Sequence, residues 1–231
     1  MTSRHKNTHA HKAQSYNIGR PHYPKQFFDY IYDELGLAKD STIADMGAGT
    51  GKVTEGFLKS GSTVYALEPD KDMMQVLVNN LAGFPSCIPI ESTAENTCLP
   101  DSTVDLVFCG NSYHWFDSGI AVPEFKRVLR GNSRGFDVVI CSLGVGMPSS
   151  ASPFQDGRCI SKTFEFTHHS RLREFLHGHL SSSLAPTPED DNYEEYCETL
   201  KQTFDKQCVD GKVETRFVLH CEVGDVGGLV V

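Results

Sequence analysis

Apolar positions recur with two periods over the first 144 residues. Phe27, Phe28, Ile31 and Leu35 fall on one face of a helix predicted over about 25–35, behind a loop-like stretch from Ser15 to Pro24. Ser41-Thr-Ile-Ala-Asp-Met is a short buried-strand pattern that breaks into glycines, and Val53, Phe57 and Leu58 then place a helix over 52–58. The unit repeats: strand 63–68, helix 72–81 with Met73, Val76 and Leu77 on one side, and a short strand 88–91. A fourth strand follows at 104–109, then an aromatic loop Tyr113-His-Trp-Phe, a helix around 122–129 and a fifth strand at 136–141. Strands alternating with helices at this spacing predict an α/β fold, a doubly wound and mostly parallel sheet with helices on both faces.

After about Gly144 the pattern changes. Gly144 to Ser152 and Ser181 to Pro188 are rich in Gly, Ser and Pro, and the elements between them read as short and irregular. Helices are predicted over 172–180 and 190–208, and a strand over 213–223. Nothing here marks an independent second domain. The expected organisation is an arm over 1–24, a ligand-binding core over 25–144, and a lid with a closing strand over 145–231, all in one domain.

Composition narrows the function. With 21 Lys+Arg against 30 Asp+Glu the formal charge is −9, which disfavours nucleic acid and anionic membrane as partners. No apolar run approaches the roughly 20 residues of a membrane span, and the N-terminal stretch is polar, so a cytoplasmic location is expected. The 8 cysteines contain no C-x-x-C pair and read as reduced packing residues rather than a zinc site. His5, His9 and His11 belong to a polar tail, and no metal is expected.

The chemistry concentrates at Asp45-Met-Gly-Ala-Gly-Thr-Gly, where the first strand turns into a helix. Glycines at alternate positions let the backbone bend and let a ligand approach without a Cβ in the way. A dinucleotide fingerprint is spaced G-x-G-x-x-G; this turn is spaced G-x-G-x-G, with Lys52 at the place of the last glycine, which disfavours an NAD-dependent oxidoreductase. Asp45 would repel a pyrophosphate and attract a sulfonium or ammonium. Glu68, ending the second strand, stands where an acid accepts both hydroxyls of a ribose.

Together with Ala66-Leu-Glu-Pro-Asp and Met73, Ser92-Thr-Ala-Glu-Asn-Thr-Cys-Leu-Pro-Asp, Asp105-Leu-Val-Phe, His114-Trp-Phe-Asp, Glu124-Phe-Lys-Arg-Val-Leu and the lead-in Tyr16…Arg20-Pro-His-Tyr-Pro, this turn resembles the class I S-adenosylmethionine-dependent methyltransferases. The likeness is to their small-molecule branch, which includes the ubiquinone/menaquinone-biosynthesis and trans-aconitate methyltransferases. It implies a Rossmann-like seven-stranded sheet and S-adenosyl-L-methionine as cofactor. It further implies that Gly47, Ala48, Gly49 and Gly51 floor the methionine part, with Asp45 near its amino group and Glu68 on the ribose. Pro69, Asp70 and Met73 would flank the adenine and Thr93, Ala94 and Glu95 would meet its polar edge. The family usually carries Asp where Thr93 stands, which implies an adenine amino contact that is either weaker here or supplied by Glu95. Asn111 to Trp115 would pass beside the departing methyl, and Tyr16 would cap the methionine.

Methyl transfer is an in-line displacement, so the protein chiefly positions the acceptor and excludes water. Where the acceptor must lose a proton, His114 and Tyr113 are the candidate catalytic residues. Arg20, Tyr23 and, in the segment that resembles the family's acceptor cover, Ser182 are the candidate substrate contacts. The expected acceptor is a small organic molecule; the Asn/Asp-Pro-Pro-aromatic motif of nucleic-acid amino methylation is absent, its place reading Asn111-Ser-Tyr-His. A nucleoside-binding module without turnover is the alternative. Oligomeric state is left open.

Overall fold

The computed structural model describes residues 12–131, 135–145, 152–155 and 158–231. The histidine-rich stretch at 1–11, residues 132–134 and most of the Gly/Ser/Pro-rich stretch after Gly144 lie outside them. Helix α1 (Ala13–Gly19) leads into α2 (Lys25–Asp29), which continues as a π-helical turn, Tyr30–Glu34. There follow β1 (Thr42–Met46), α3 (Lys52–Ser60), β2 (Thr63–Leu67), α4 (Lys71–Leu81), β3 (Cys87–Ile90) and β4 (Leu106–Gly110). A 3₁₀ turn at Tyr113–Trp115, α5 (Ser118–Val128), β5 (Val138–Gly144), β6 (Cys159–Ser170), α6 (Leu172–Leu180), α7 (Tyr193–Gln207) and β7 (Val213–Gly224) complete the order.

The seven strands form one sheet in the order β3-β2-β1-β4-β5-β7-β6. The first five are parallel to their neighbours, and β7 runs antiparallel between β5 and β6. This is the predicted fold class. Because β2 and β3 lie to one side of β1 and β4 to the other, the strand order reverses between β1 and β4, and a crevice opens there at the carboxyl ends of the strands. Both chains that leave this point, Gly47 after β1 and Asn111 after β4, bear predicted ligand contacts.

The core behind the crevice is aromatic. Phe27, Phe57, Phe108 and Phe125 are fully buried, and the Phe57 and Phe108 rings meet edge to face at 5.1 Å. Gly56 stands within α3 where the Phe28 ring lies on the helix: a Cβ there would stand 2.0 Å from Phe28 Cζ. Cys141 and Cys221 face each other as buried thiols across β5 and β7, and all eight cysteines are free.

Two elements depart from the sequence reading. Ser15–Gly19, expected as loop, belongs to α1, because tertiary contacts supply what local sequence lacks. Lys12 donates from Nζ to the carbonyl oxygens of Ser182 at 2.5 Å and Ala185 at 2.7 Å, and Gly19 packs so tightly on α6 that a Cβ would lie 2.0 Å from Gly178 N. The second departure is β6, a twelve-residue strand where short irregular elements were expected. As the sheet's edge strand it alternates half-buried and exposed residues and has few apolar ones, so it lacks the buried-strand signature. Among the described residues no helix is long and apolar enough to cross a membrane.

Candidate functional site

The glycine turn holds its shape through left-handed backbone. Gly47, Gly49 and Gly51 have φ of 73°, 60° and 82°, values that side-chain-bearing residues rarely adopt. The space around the three differs. A Cβ on Gly47 would collide with Ser112 and one on Gly51 with Leu81, whereas one on Gly49 would meet nothing within 4 Å. Gly49 therefore presents bare backbone to open space, the place where a ligand can lie against the turn.

Glu68 closes the other side of this space. Its Oε2 accepts the Gly49 N–H at 2.8 Å and its Oε1 the Asp70 N–H at 2.9 Å. A carboxylate has about four lone-pair directions, so each oxygen keeps one for a further donor such as a ribose hydroxyl. Burial pushes the Glu68 carboxyl up from its ordinary range, and the two N–H donors pull it back. Asp70 caps α4 by accepting from the Asp72 and Met73 amides, both at 2.9 Å, which fixes the Pro69–Met73 segment beside Glu68.

Asp45 lies beneath the turn, 1% exposed, and accepts from Thr54 Oγ1 at 2.6 Å. Burial raises its carboxyl to about 7, against the Thr54 hydrogen bond and with the Glu68 charge adding to the rise. A cationic group above it would favour the ionised form.

The cavity between these residues is lined by Asp45, Gly47, Ala48, Gly49, Lys52 and Val53 from the turn and α3, and by Gly110, Asn111, Leu143 and Phe217 from the far strands. Its remaining wall is the arm, through Tyr16, Arg20, Pro21 and Tyr23. Arg20 donates from Nε to Ser181 Oγ at 2.9 Å, and its guanidinium lies 5.4 Å from the Tyr16 ring centre. Burial raises the Tyr16 phenol and raises that of Tyr23 strongly, so both are hydrogen-bond donors and not bases near neutrality. Asn111 serves the backbone: its Oδ1 accepts the Leu143 N–H at 2.8 Å, joining the end of β4 to that of β5.

Of the residues singled out in sequence, Tyr16, Arg20, Tyr23, Asp45, Gly47, Ala48, Gly49 and Asn111 line this cavity. Gly51 closes the turn, Glu68 joins Gly49 to Asp70 through its two hydrogen bonds, and Asp70 in turn accepts from the Met73 amide, with Pro69 between them in the chain. Ala94 is buried and Glu95 accepts from the Asp117 amide at 3.0 Å, holding the start of α5. Tyr113, His114 and Trp115 are not among the lining residues. The Tyr113 hydroxyl is buried without a hydrogen-bond partner and pushed up to about 12, first by burial and then by Cys109. His114 is held low by burial and packs against Trp115, with ring centres 5.0 Å apart. Ser182 anchors the arm instead of facing the cavity, its carbonyl accepting from Lys12. Lys52, Leu143 and Phe217 line the cavity and were not singled out. Lys52 was visible only as a departure from a dinucleotide motif, and the other two carry no motif.

Residues 44–137 match the methyltransferase domain family. An uncharacterized methyltransferase of Mycobacterium tuberculosis is 37% identical over 120 residues, covering 52% of this chain and 46% of that protein. One of Schizosaccharomyces pombe is 35% identical over 120 residues, covering 52% and 47%. The chain thus spans about half the length of the curated relatives it matches. Among solved structures, a protein assigned as a type II methyltransferase from Anaeromyxobacter dehalogenans superposes with a TM-score of 0.63 at 18% identity, over 90% of this chain and 98% of that one. A SAM-dependent methyltransferase from Thiobacillus denitrificans, solved with S-adenosyl-L-homocysteine, superposes with a TM-score of 0.54 at 12% identity, over 93% and 96%. Residues 44–137 thus match a methyltransferase domain model, and the seven-stranded fold is similar to that of these two solved methyltransferases.

Proposed function

We propose that this chain is an S-adenosyl-L-methionine-dependent methyltransferase that moves a methyl group to a small organic acceptor by in-line displacement. The observation that carries the reading is the pairing of Gly49 with Glu68. A left-handed glycine facing open space is tied at 2.8 Å to a carboxylate that keeps free lone pairs, and a second, buried acid lies below. That is a place for a vicinal diol beside a cationic centre. The S-adenosyl-L-homocysteine bound in the Thiobacillus protein supports the same cofactor.

When bound, the cofactor supplies an electrophilic methyl carbon on a sulfonium. Glu68 accepts the ribose hydroxyls, and Asp45 faces the positive end. Pro69, Asp70 and Met73 flank the base, with Thr93, Ala94 and Glu95 along its edge. Tyr16 and Arg20 cover the amino-acid part from the arm, excluding water. Tyr23, Asn111, Leu143 and Phe217 then surround the acceptor. The −9 charge argues for a small molecule over a nucleic acid.

Calorimetry with S-adenosylmethionine, S-adenosylhomocysteine and NADH tests this. The expected result is micromolar binding of the first two and none of the third. Binding of NADH alone, or of none of the three, would overturn the assignment.

A further inference from the structure

A second cavity, of about 310 Å³, lies between the arm and the body of the fold. Asn17 and His22 reach it from the arm, Thr50 from the glycine turn, Lys52 and Glu55 from the first turn of α3, and Asn80 from the end of α4. Among the described residues, Lys52 alone lines both this cavity and the one beneath the arm that holds Asp45 and Gly49. The volume is at the low end of small-molecule pockets, roughly 300–1,000 Å³.

Hydrogen-bond donors gather around this space without acceptors. Thr50 is 1% exposed, and its buried hydroxyl has no partner among the described residues. A buried hydroxyl left unpaired costs stability that a ligand can restore. Asn80 Nδ2 donates to the Thr50 carbonyl and to Asn17 Oδ1, each at 2.9 Å, so its own hydrogens are used. The Asn17 amide has only a long return bond of 3.5 Å to Asn80 and keeps a donor for something else. Helix α3 also begins here. Its N-cap is Gly51, no side chain caps it, and its first amides form the positive end of a nine-residue helix.

The charges favour an anion. Lys52 has no carboxylate within salt-bridge distance among the described residues, because Glu55 is engaged by Lys59 at 2.9 Å and contacts His22 at 3.4 Å. Burial lowers the Lys52 ammonium from its ordinary range, against the pull of Glu55, and a bound anion reverses such a shift. Burial and then the Lys52 charge lower His22, so near neutrality its ring brings no second cation. A chain of charge −9 has no general attraction for anions, so an anion held here is held by these groups. Their donors arrive from the turn, from α3 and from the arm. A tetrahedral oxyanion can meet all three, whereas a planar carboxylate turns its two oxygens to one side.

We propose that this cavity binds a phosphate group, free or carried as a monoester on a small molecule, through the Lys52 ammonium, the Thr50 hydroxyl and the amide end of α3. It fills whether or not the neighbouring cavity holds its own ligand.

The test is titration calorimetry of the full chain in a phosphate-free buffer with inorganic phosphate, glycerol phosphate, glycerol and acetate. One saturable phosphate site per chain is expected, with a Kd of about 1 mM or tighter. Glycerol should not bind, and acetate should bind at least tenfold more weakly. Tighter binding of glycerol phosphate than of phosphate assigns the site to an ester, and the reverse order to the free ion. K52M should weaken phosphate at least tenfold, and K206M, which removes the same charge from the exposed end of α7, less than twofold. T50V exchanges an unpaired hydroxyl for a methyl group, so without phosphate it should melt no lower than wild type and yet bind phosphate several-fold more weakly; T50S should restore the affinity. Saturating S-adenosylhomocysteine should leave the phosphate Kd within threefold. Unsaturable binding, acetate equal to phosphate, K52M and T50V both within twofold of wild type, or displacement of phosphate by S-adenosylhomocysteine would each overturn the site. Should S-adenosylhomocysteine not bind at all, the proposed function falls while the phosphate titrations of the variants still decide this cavity.

Discussion

The backbone N–H of Gly49 donates to Glu68 Oε2 at 2.8 Å, so the turn after β1 and the tip of β2 are held by one side chain. Removing that side chain strands the Gly49 and Asp70 amides and deletes the ribose acceptor together. E68A should therefore weaken S-adenosylhomocysteine binding by about 1–3 kcal/mol, the scale for leaving buried polar partners unpaired. E68Q keeps one acceptor oxygen and should lose less. Titration calorimetry of the three proteins gives the order, and equal affinities would remove Glu68 from the ligand's surroundings.

Asp45 predicts a pH dependence of unusual sign. Its folded carboxyl titrates at about 7 and its unfolded one near 3.8, so between these values the folded state holds a proton that the unfolded state has released. Stability contributed by this group is present below about pH 4 and is lost as pH rises toward 7, by roughly a few kcal/mol. D45N keeps a side chain that can accept from Thr54 and has no proton to lose. Its urea-unfolding free energy should fall less than the wild type's between pH 4 and 7; parallel curves would mean that Asp45 stays ionised. S-adenosylmethionine binding near pH 6 should also release a proton, seen as a dependence of binding heat on buffer ionisation enthalpy.

The parallel half of the fold was legible because buried strands and amphipathic helices carry strong periods there: Thr42–Met46 and Val138–Ile140 are almost wholly buried, and α4 puts Met73, Leu77 and Leu81 on one side. That the glycine turn and Glu68 come together was legible for a related reason, since left-handed glycines and a strand-end acid have few other uses. Helix α1 was not, because it is held by Lys12, Ser15 and Arg20 reaching residues about 160 to 170 positions away. The far wall of the cavity was not legible for the same reason. Leu143 and Phe217 meet at the cavity only through the β5–β7 pairing, and no local pattern encodes that.

Glu124 behaves oppositely to Asp45. It accepts from the Thr97 amide at 2.9 Å and from Arg127 Nε and Nη2, each at 2.7 Å, which ties the segment after β3 to α5. These bonds, the Arg127 ones first, lower its carboxyl to about 2. A depressed folded value means stabilisation that is complete above the unfolded value of 4.5 and lost as pH falls toward 2. The pair is partly open to water, so its worth is about 1 kcal/mol or less. E124Q should lower Tm by ~2–4 °C at pH 7 and by nothing near pH 2, read by calorimetry across pH. A constant difference at all pH values would assign the loss to packing.

Gly19 and Gly178 make an asymmetric contact between the arm and α6. A Cβ on Gly19 would stand 2.0 Å from Gly178 N, against backbone that cannot turn aside, whereas one on Gly178 would stand 3.2 Å from Gly19 O. Neither glycine has the left-handed φ that would itself penalise alanine. G19A should therefore cost the arm about 1–3 kcal/mol through overpacking. G178A, inside α6, gains up to about 1 kcal/mol of helix propensity against a tight but relievable contact and should be close to neutral. The effect of G19A should be local, since α1 adds little to the main core. Amide exchange over 13–19 should accelerate in G19A while β1 and β4 keep wild-type protection. S-adenosylhomocysteine should bind more weakly to G19A because Tyr16 and Arg20 move away with the helix. Unchanged exchange in G19A would mean that the Lys12 and Arg20 hydrogen bonds, and not the glycine contact, hold the arm in place.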